Sequence, residues 1–364
     1  MSGNVLHYFG GGNTAKGFSN LYDSNMRGLD RVFILSGKSS LEKKGLIHRL
    51  MDEWTGKNVS LEALHSPNDP DSLEGLIIRE LGFGIVDGDF PREIGKEFVG
   101  DRWETVDLDV MDFSSLEAAV KKDITQLEAK REDALDKAYQ SYAAGLRVHD
   151  RWEKLYVDRM DFLKADQVTD RLIKKLIFKN SSRKERTTRR RFLGAATPKG
   201  PVDFVDNITT GLNKRIFLKG RAGTGKSTVL KKIVMEAEKR GYDLEIYHCG
   251  FDPASLDMVV VRELGWAVFD STQPHEYFPS RKGDEVIDMY ELTVAPGTDE
   301  LYANEIAEIE KEYREQMKAG KDYLAEAKRV NDQLESIYQD NMDHSRIDEI
   351  FSDIQKEIKL LAKD

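Results

Sequence analysis

The sequence predicts an α/β fold that occurs twice in the chain, each copy extended by a long helical, coiled-coil-like hairpin. Three observations carry this expectation. The chain repeats itself without a gap at an offset of 183 residues, from Thr14 to Pro91. Inside each copy, short apolar runs alternate with helical patterns, the order that builds strand–helix–strand units. Beyond each copy, apolar residues recur at steps of three and four over a long stretch, as in a helix with one buried face.

The repeat is clearest where "LEALHSPNDPDSLEGLIIRELGFGIVD", starting at Leu61, lies over "LEIYHCGFDPASLDMVVVRELGWAVFD", starting at Leu244. His65 falls on His248, Asp69 on Asp252, Pro70 on Pro253, Ser72 on Ser255 and Asp87 on Asp270. A period of this size describes like domains in tandem and not a solenoid. The expected division is residues 1–180, with a helical arm at about 115–178, and residues 181–364, with an arm at about 299–362. Short connections between the apolar runs predict a parallel sheet in each copy.

Chemistry is concentrated in the second copy. Gly220, Arg221, Ala222, Gly223, Thr224, Gly225, Lys226 and Ser227 spell G-x-x-x-x-G-K-S, followed by Thr228. The glycines let backbone approach oxygen atoms that a Cβ would hold off. The turn aims successive N–H groups inward as an anion nest, and the helix that follows adds its positive end. Lys226 is expected to reach the β- and γ-phosphates of a nucleotide. The Ser227 hydroxyl is expected to ligate Mg²⁺, and Thr228 to touch the α-phosphate. "KRIFLKG" supplies the strand before this loop, and "STVLKKIVMEAEKRG" the helix after it, with Gly241 as its stop. Asp270, at the end of "GWAVFD", is the expected magnesium carboxylate. Asp252 and Asp257 are its rivals, although an N-cap role accounts for Asp252 equally well. His248 and Cys249 are too few for a zinc site and read as an interior pair. His275 reads as loop surface.

The first copy keeps the setting and lacks the loop. "RVFILSGKSSLEKKGLI", from Arg31, lies position for position over "KRIFLKGRAGTGKSTVL". Ser40 replaces Gly223, Glu42 replaces Gly225 and Lys44 replaces Ser227, while Lys43 matches Lys226. Two lost glycines and an added carboxylate predict a degenerate site. An altered anion site using Lys38, Lys43 and Lys44 is the rival reading.

The arms show apolar residues at Val120, Ile124, Leu127, Leu135, Ala138 and Tyr142, and again at Ile306, Ile309, Tyr313, Met317, Leu324 and Ala327. "SIYQDNMD" echoes "KLYVDRMD" at an offset of 182, so the arm is duplicated too. Packing inside the molecule is the favoured reading. Self-association, an unknown protein partner or a moving lid are the others. Gly145 and Gly320 are read as bends. The basic junction from Lys174 to Arg191 reads first as a solvated linker beside an acidic protein. Its rival reading is a phosphate or nucleic-acid contact through Arg186–Arg191 (Arg186, Arg189, Arg190 and Arg191).

Composition narrows the class. The chain of 364 residues is 33% charged and 40% hydrophobic with net charge −10, which suits a globular protein and argues against a general nucleic-acid binder. Nothing resembles a signal peptide or a membrane span, and Cys249 is the sole cysteine, so a cytoplasmic location is expected.

Taken together, "HYFGGGNTAKGFSNLYDSNMRGLDRVFIL" at His7, "TPKGPVDFVDN" at Thr197, "KGRAGTGKSTVLKKI" at Lys219 and "DPASLD" at Asp252 resemble tandem P-loop proteins of spore-forming Gram-positive bacteria, classed as ATPases or nucleotide-kinase-like proteins. The resemblance spans the chain and implies duplicated P-loop NTPase domains that bind ATP. It departs at the first loop, which is complete in that family. The expected function is a slow, Mg²⁺-dependent ATPase that acts as a nucleotide-driven switch, with Lys226 as the catalytic residue. The alternatives are a small-molecule or nucleotide kinase, with Arg281 and Lys282 in a lid, and a non-hydrolysing ATP-binding interaction protein.

Overall fold

The computed structural model describes residues 4–89, 91, 92, 94, 102–109, 116–179, 186–342 and 344–362. The expected domain boundary at 180 and part of the basic junction lie outside the described residues.

The first copy contributes β1 (Val5–Phe9), β2 (Gly11–Thr14), β3 (Gly17–Asn20), α1 (Tyr22–Met26), β4 (Arg31–Ser36), α2 (Ser40–Trp54), β5 (Leu61–Ser66), β6 (Asp69–Ile78), β7 (Phe83–Asp87) and β8 (Trp103–Asp107). Two helices follow, α3 (Ala118–Val157) and α4 (Phe162–Leu176). The second copy repeats the series as β9 (Thr188–Phe192), β10 (Gly194–Thr197), β11 (Gly200–Asp203), α5 (Val205–Ile208), β12 (Lys214–Lys219), α6 (Lys226–Lys239), β13 (Leu244–His248), β14 (Leu256–Val261), β15 (Trp266–Asp270) and β16 (Asp284–Asp288). It ends with α7 (Met289–Thr293), α8 (Thr298–Leu301), α9 (Ala303–Gln339) and α10 (His344–Leu361).

Both copies join in one 12-stranded sheet of order β16-β12-β15-β14-β13-β9-β1-β5-β6-β7-β4-β8. The expected parallel sheets are corrected to a mixed sheet. Within each copy one strand, β6 or β14, runs against the other five. The reason is the short connections on either side of it. Pro67 and Asn68 alone join β5 to β6, and a single helical turn ending at Gly82 joins β6 to β7. Links this tight return the chain antiparallel, whereas a parallel neighbour needs a crossover of a dozen residues or more. The strands before and after each loop do match the expectation: β4 pairs in parallel with β7 and β8, and β12 with β15 and β16.

The copies meet about a pseudo-two-fold axis. Phe9 of β1 pairs antiparallel with Phe192 of β9, its own counterpart in the repeat. In a second, four-stranded sheet, Asn13 of β2 pairs with Ala196 of β10, again its counterpart. Arg191 is buried on this axis, 2.7 Å from Glu62 Oε2 and 3.2 Å from the matching Glu245 Oε2, with its guanidinium over the Tyr8 ring.

The arms do not form a hairpin within each copy. Instead α3 and α9 lie antiparallel along each other, so that Glu128 meets Tyr338 near one end and Arg151 meets Glu312 near the other. At about 1.5 Å per residue, α3 is about 60 Å long. Gly145 and Gly320 lie inside unbroken helices and do not interrupt them. Gly320 allows close approach, because a Cβ there would collide with the Tyr142 ring, whereas one on Gly145 would make ordinary contacts. The terminal helices are exchanged. Val168, Leu172 and Leu176 of α4 pack into the second copy's core with Ile216, Leu230 and Ile233. Ile347, Ile354 and Ile358 of α10 pack into the first copy's core with Phe33, Leu46 and Leu50. Among the described residues, no helix is long and apolar enough to cross a membrane.

Candidate functional site

The loop between β12 and α6 holds its glycines in conformations that other residues resist. Gly220 has φ +147°, Gly223 +73° and Gly225 +81°. Helix α6 begins at Lys226 with Gly225 as its left-handed N-cap. Lys226 is 7% exposed, and its Nζ donates to the Arg221 carbonyl at 2.7 Å and stands 3.6 Å from Asp270 Oδ2. Parallel pairing of β12 with β15 places Leu218 beside Asp270, which is why a strand-end carboxylate reaches the loop lysine. Ser227 Oγ accepts the Leu256 N–H at 3.0 Å, so the loop hydroxyl is held against the start of β14. Thr224 is buried, Ala222 is half-buried, and Thr228 is exposed on the first turn of α6. A hydroxyl and a carboxylate beside this glycine turn are hard oxygen donors of the kind Mg²⁺ takes.

The end of α3 from the first copy covers this loop. A Cβ on Gly223 would strike the Glu153 carbonyl oxygen, and one on Gly225 would come within 2.9 Å of Met160 Cε. Arg221 pairs with Asp299 at 3.0 Å, and Asp299 also accepts from Tyr156 Oη at 2.8 Å. The sequence does not reveal this contact, because its residues come from the other copy's arm.

Two further acids near the loop differ in state. Asp257 is buried, and desolvation together with the Asp270 charge raises its carboxyl to about 7. His275 is not loop surface. Its Nδ1 lies 2.6 Å from Asp203 Oδ2, and although burial favours the neutral ring, the Asp203 partnership lifts its pKa above the usual value. Asp252 accepts from Ala254 N and pairs with Lys16 at 3.0 Å, a turn role. His248 Nδ1 is 2.7 Å from the Pro253 carbonyl, an interior contact as expected.

The first copy shows what the missing glycines do. Helix α2 starts at Ser40, which matches Gly223, so the residues matching Gly223, Thr224 and Gly225 have become its first turn. Without residues that favour positive φ, the nest winds into helix and its N–H groups become helix-end donors. Glu335 of α9 caps them: Oε1 accepts from Ser40 N at 2.8 Å and Ser40 Oγ at 2.6 Å, and Oε2 from Ser39 Oγ at 2.7 Å and Leu41 N at 3.2 Å. Glu335 and Glu153 are counterparts in the duplicated arm, so the same arm position meets both loops. Lys43 is buried between Asp87, at 3.0 Å, and Asp89, and Asp89 Oδ2 also accepts the Gly37 N–H at 2.8 Å. Internal carboxylates therefore meet the loop N–H groups and the lysine of this copy. A cavity of about 400 Å³ lies alongside, lined in part by Lys38, Lys44, Arg131 and Lys328.

Of the junction arginines, Arg191 is buried at the pseudo-two-fold axis, Arg190 Nη1 is 3.0 Å from His248 Nε2, and Arg186 donates to the Glu238 carbonyl. Burial removes Arg191 from any phosphate contact. Comparison with protein-family models, curated proteins and solved structures finds no match for this chain.

Proposed function

We propose that the second copy binds ATP with Mg²⁺ at Gly220–Thr228 and hydrolyses it slowly, and that α3 and α9 respond to the state of that loop. The observation that carries this reading is the glycine geometry. Three positive-φ glycines open a nest at the start of α6, beside a lysine that stands 3.6 Å from a strand-end aspartate. Catalysis is then positioning and electrostatic stabilisation: backbone N–H groups and Lys226 hold the phosphates, and Ser227 and Asp270 hold the ion. Magnesium, when bound, neutralises charge on the phosphate oxygens. The arm enters because Glu153, Tyr156 and Met160 lie over the loop, where phosphates entering the nest would press on them. Adenine as the base is taken from the family resemblance alone.

Calorimetry with ATP and Mg²⁺, with phosphate release followed in parallel, tests the reading on wild type, Lys226→Ala and Lys43→Ala. One site is expected, lost in Lys226→Ala and retained in Lys43→Ala. Two sites, or binding indifferent to Lys226, would refute it. Binding without phosphate release would favour the non-hydrolysing reading, which the close cover of the loop by Glu153 already recommends as the second choice.

A further inference from the structure

We infer that Asp257 joins Asp270 in a two-carboxylate site for a divalent cation, and that the first copy fills the same position with the guanidinium of Arg92. This deepens the proposal above and rests on it for the identity of the ion. In the ladder between β14 and β15, Met258 pairs with Phe269, which sets Asp257 opposite Asp270 on one face. Leu256 N donates to Ser227 Oγ at 3.0 Å, so the start of β14 is docked on the loop hydroxyl. Two carboxylates thus share one face of the sheet on neighbouring strands, and the strand bearing Asp257 is docked on the loop hydroxyl; these are oxygen donors of the kind Mg²⁺ or Mn²⁺ takes.

The first copy supplies the independent observation. There Gly75 pairs with Val86, which sets Glu74 opposite Asp87 in the same way. Arg92 sits between them, with Nη1 3.0 Å from Glu74 Oε2 and Nη2 bonded to Asp87 Oδ2. Tyr22 Oη also donates to Glu74. A buried carboxylate pair is costly without a cation, and here the chain provides one.

Every one of these partners changes in the second copy while the carboxylates stay. His275 stands in the place of Arg92 and Val205 in the place of Tyr22. The His275 ring is held 2.6 Å from Asp203. Asp257 is 8% exposed, and the hydrogen bond it keeps is with the Cys249 thiol. Lys226 reaches the Asp270 side of the pair. At the loop itself, Lys44 in the first copy pairs with Asp69 at 3.1 Å, whereas its counterpart Ser227 offers a neutral oxygen. One copy therefore places an arginine against both acids, whereas in the other Lys226 stands 3.6 Å from Asp270 Oδ2, Thr272 donates to Asp270 Oδ1, and the place between the acids is left to an exchangeable cation.

The test is a Mn²⁺ titration of the full chain without nucleotide, read by electron paramagnetic resonance, with ADP binding measured separately in EDTA. Asp257→Asn is expected to weaken Mn²⁺ binding by about tenfold or more. His275→Arg, which restores the first copy's arrangement, should abolish it, and Glu74→Gln should leave it unchanged. Wild-type Mn²⁺ affinity in Asp257→Asn, or no Mn²⁺ binding by wild type, would overturn the inference. If His275→Arg does not fold, the isosteric Asp257→Asn decides the matter alone. ADP binding in EDTA reports on the loop independently. Its absence from wild type would sink the nucleotide reading, while the Mn²⁺ titration would still report on the carboxylate pair.

Discussion

Changing Glu335 to glutamine should destabilise the first copy by about 2–3 kcal/mol. The carboxylate accepts four hydrogen bonds, from Ser40 N, Ser40 Oγ, Ser39 Oγ and Leu41 N, and the residue is 9% exposed. Glutamine keeps the shape but turns one acceptor oxygen into an amide donor that faces donors. Two of the four partners then lose their acceptor, at about 1 kcal/mol each where water does not replace it. Removing the negative charge from the N-terminus of α2 adds about 0.3–1 kcal/mol. Urea unfolding followed by far-UV circular dichroism measures the loss as a lower midpoint at unchanged slope. A cycle with Ser40→Ala isolates the contact, and a coupling of about 1 kcal/mol is expected between the two positions. A loss below about 0.5 kcal/mol, or strict additivity, would refute the claim that this arm residue caps the first loop.

Gly223→Ala should cost about 1–2 kcal/mol for a side chain held at φ +73° and should weaken nucleotide affinity at least tenfold, because its Cβ meets the Glu153 carbonyl. Thermal melts and ATP titration on the same variant check both effects. Glu74→Gln tests the buried acid pair through pH. Burial and the Asp87 charge raise the Glu74 carboxyl to about 8 from its usual 4.5, against the pull of Arg92. Between those values the folded state holds a proton that the unfolded state has released, so wild-type stability falls as pH rises, by up to about 1.4 kcal/mol per pH unit. Glu74→Gln should flatten that slope in denaturant titrations between pH 5 and 8 (roughly the window set by the two values), and an unchanged slope would count against the assignment.

Much of this architecture was legible because duplication writes the same signals twice. The repeat matched the strand at Arg31 to that at Lys214 and the strand at Leu61 to that at Leu244, and the glycine spacing located the loop. Strand direction was not legible, because β6 and β14 read like any other apolar run, and the two-residue link at Pro67–Asn68 needed to be weighed as a hairpin signal. The arms were visible as helices, but their partners were not. Steps of three and four show that a helix has a buried face and leave open which surface covers it. For the same reason Glu153 and Glu335, although matched in sequence, could not be placed over the loops. Arg92 and His275 were one repeat apart and could have been compared, yet only the ladder shows that each stands near a carboxylate pair.

The pairing of Phe9 with Phe192 bears on the origin of the chain. A surface that meets its own counterpart across a two-fold axis is the isologous interface of a homodimer. With α4 and α10 exchanged between cores, a single ancestral copy would have completed its fold only by embracing a twin. Fusion of two such copies would make that twin permanent, so that assembly would no longer depend on concentration. It would also release the two loops from identity: one winds into helix and meets its neighbour's arm at Glu335, while the other keeps Gly223 and Gly225 at positive φ.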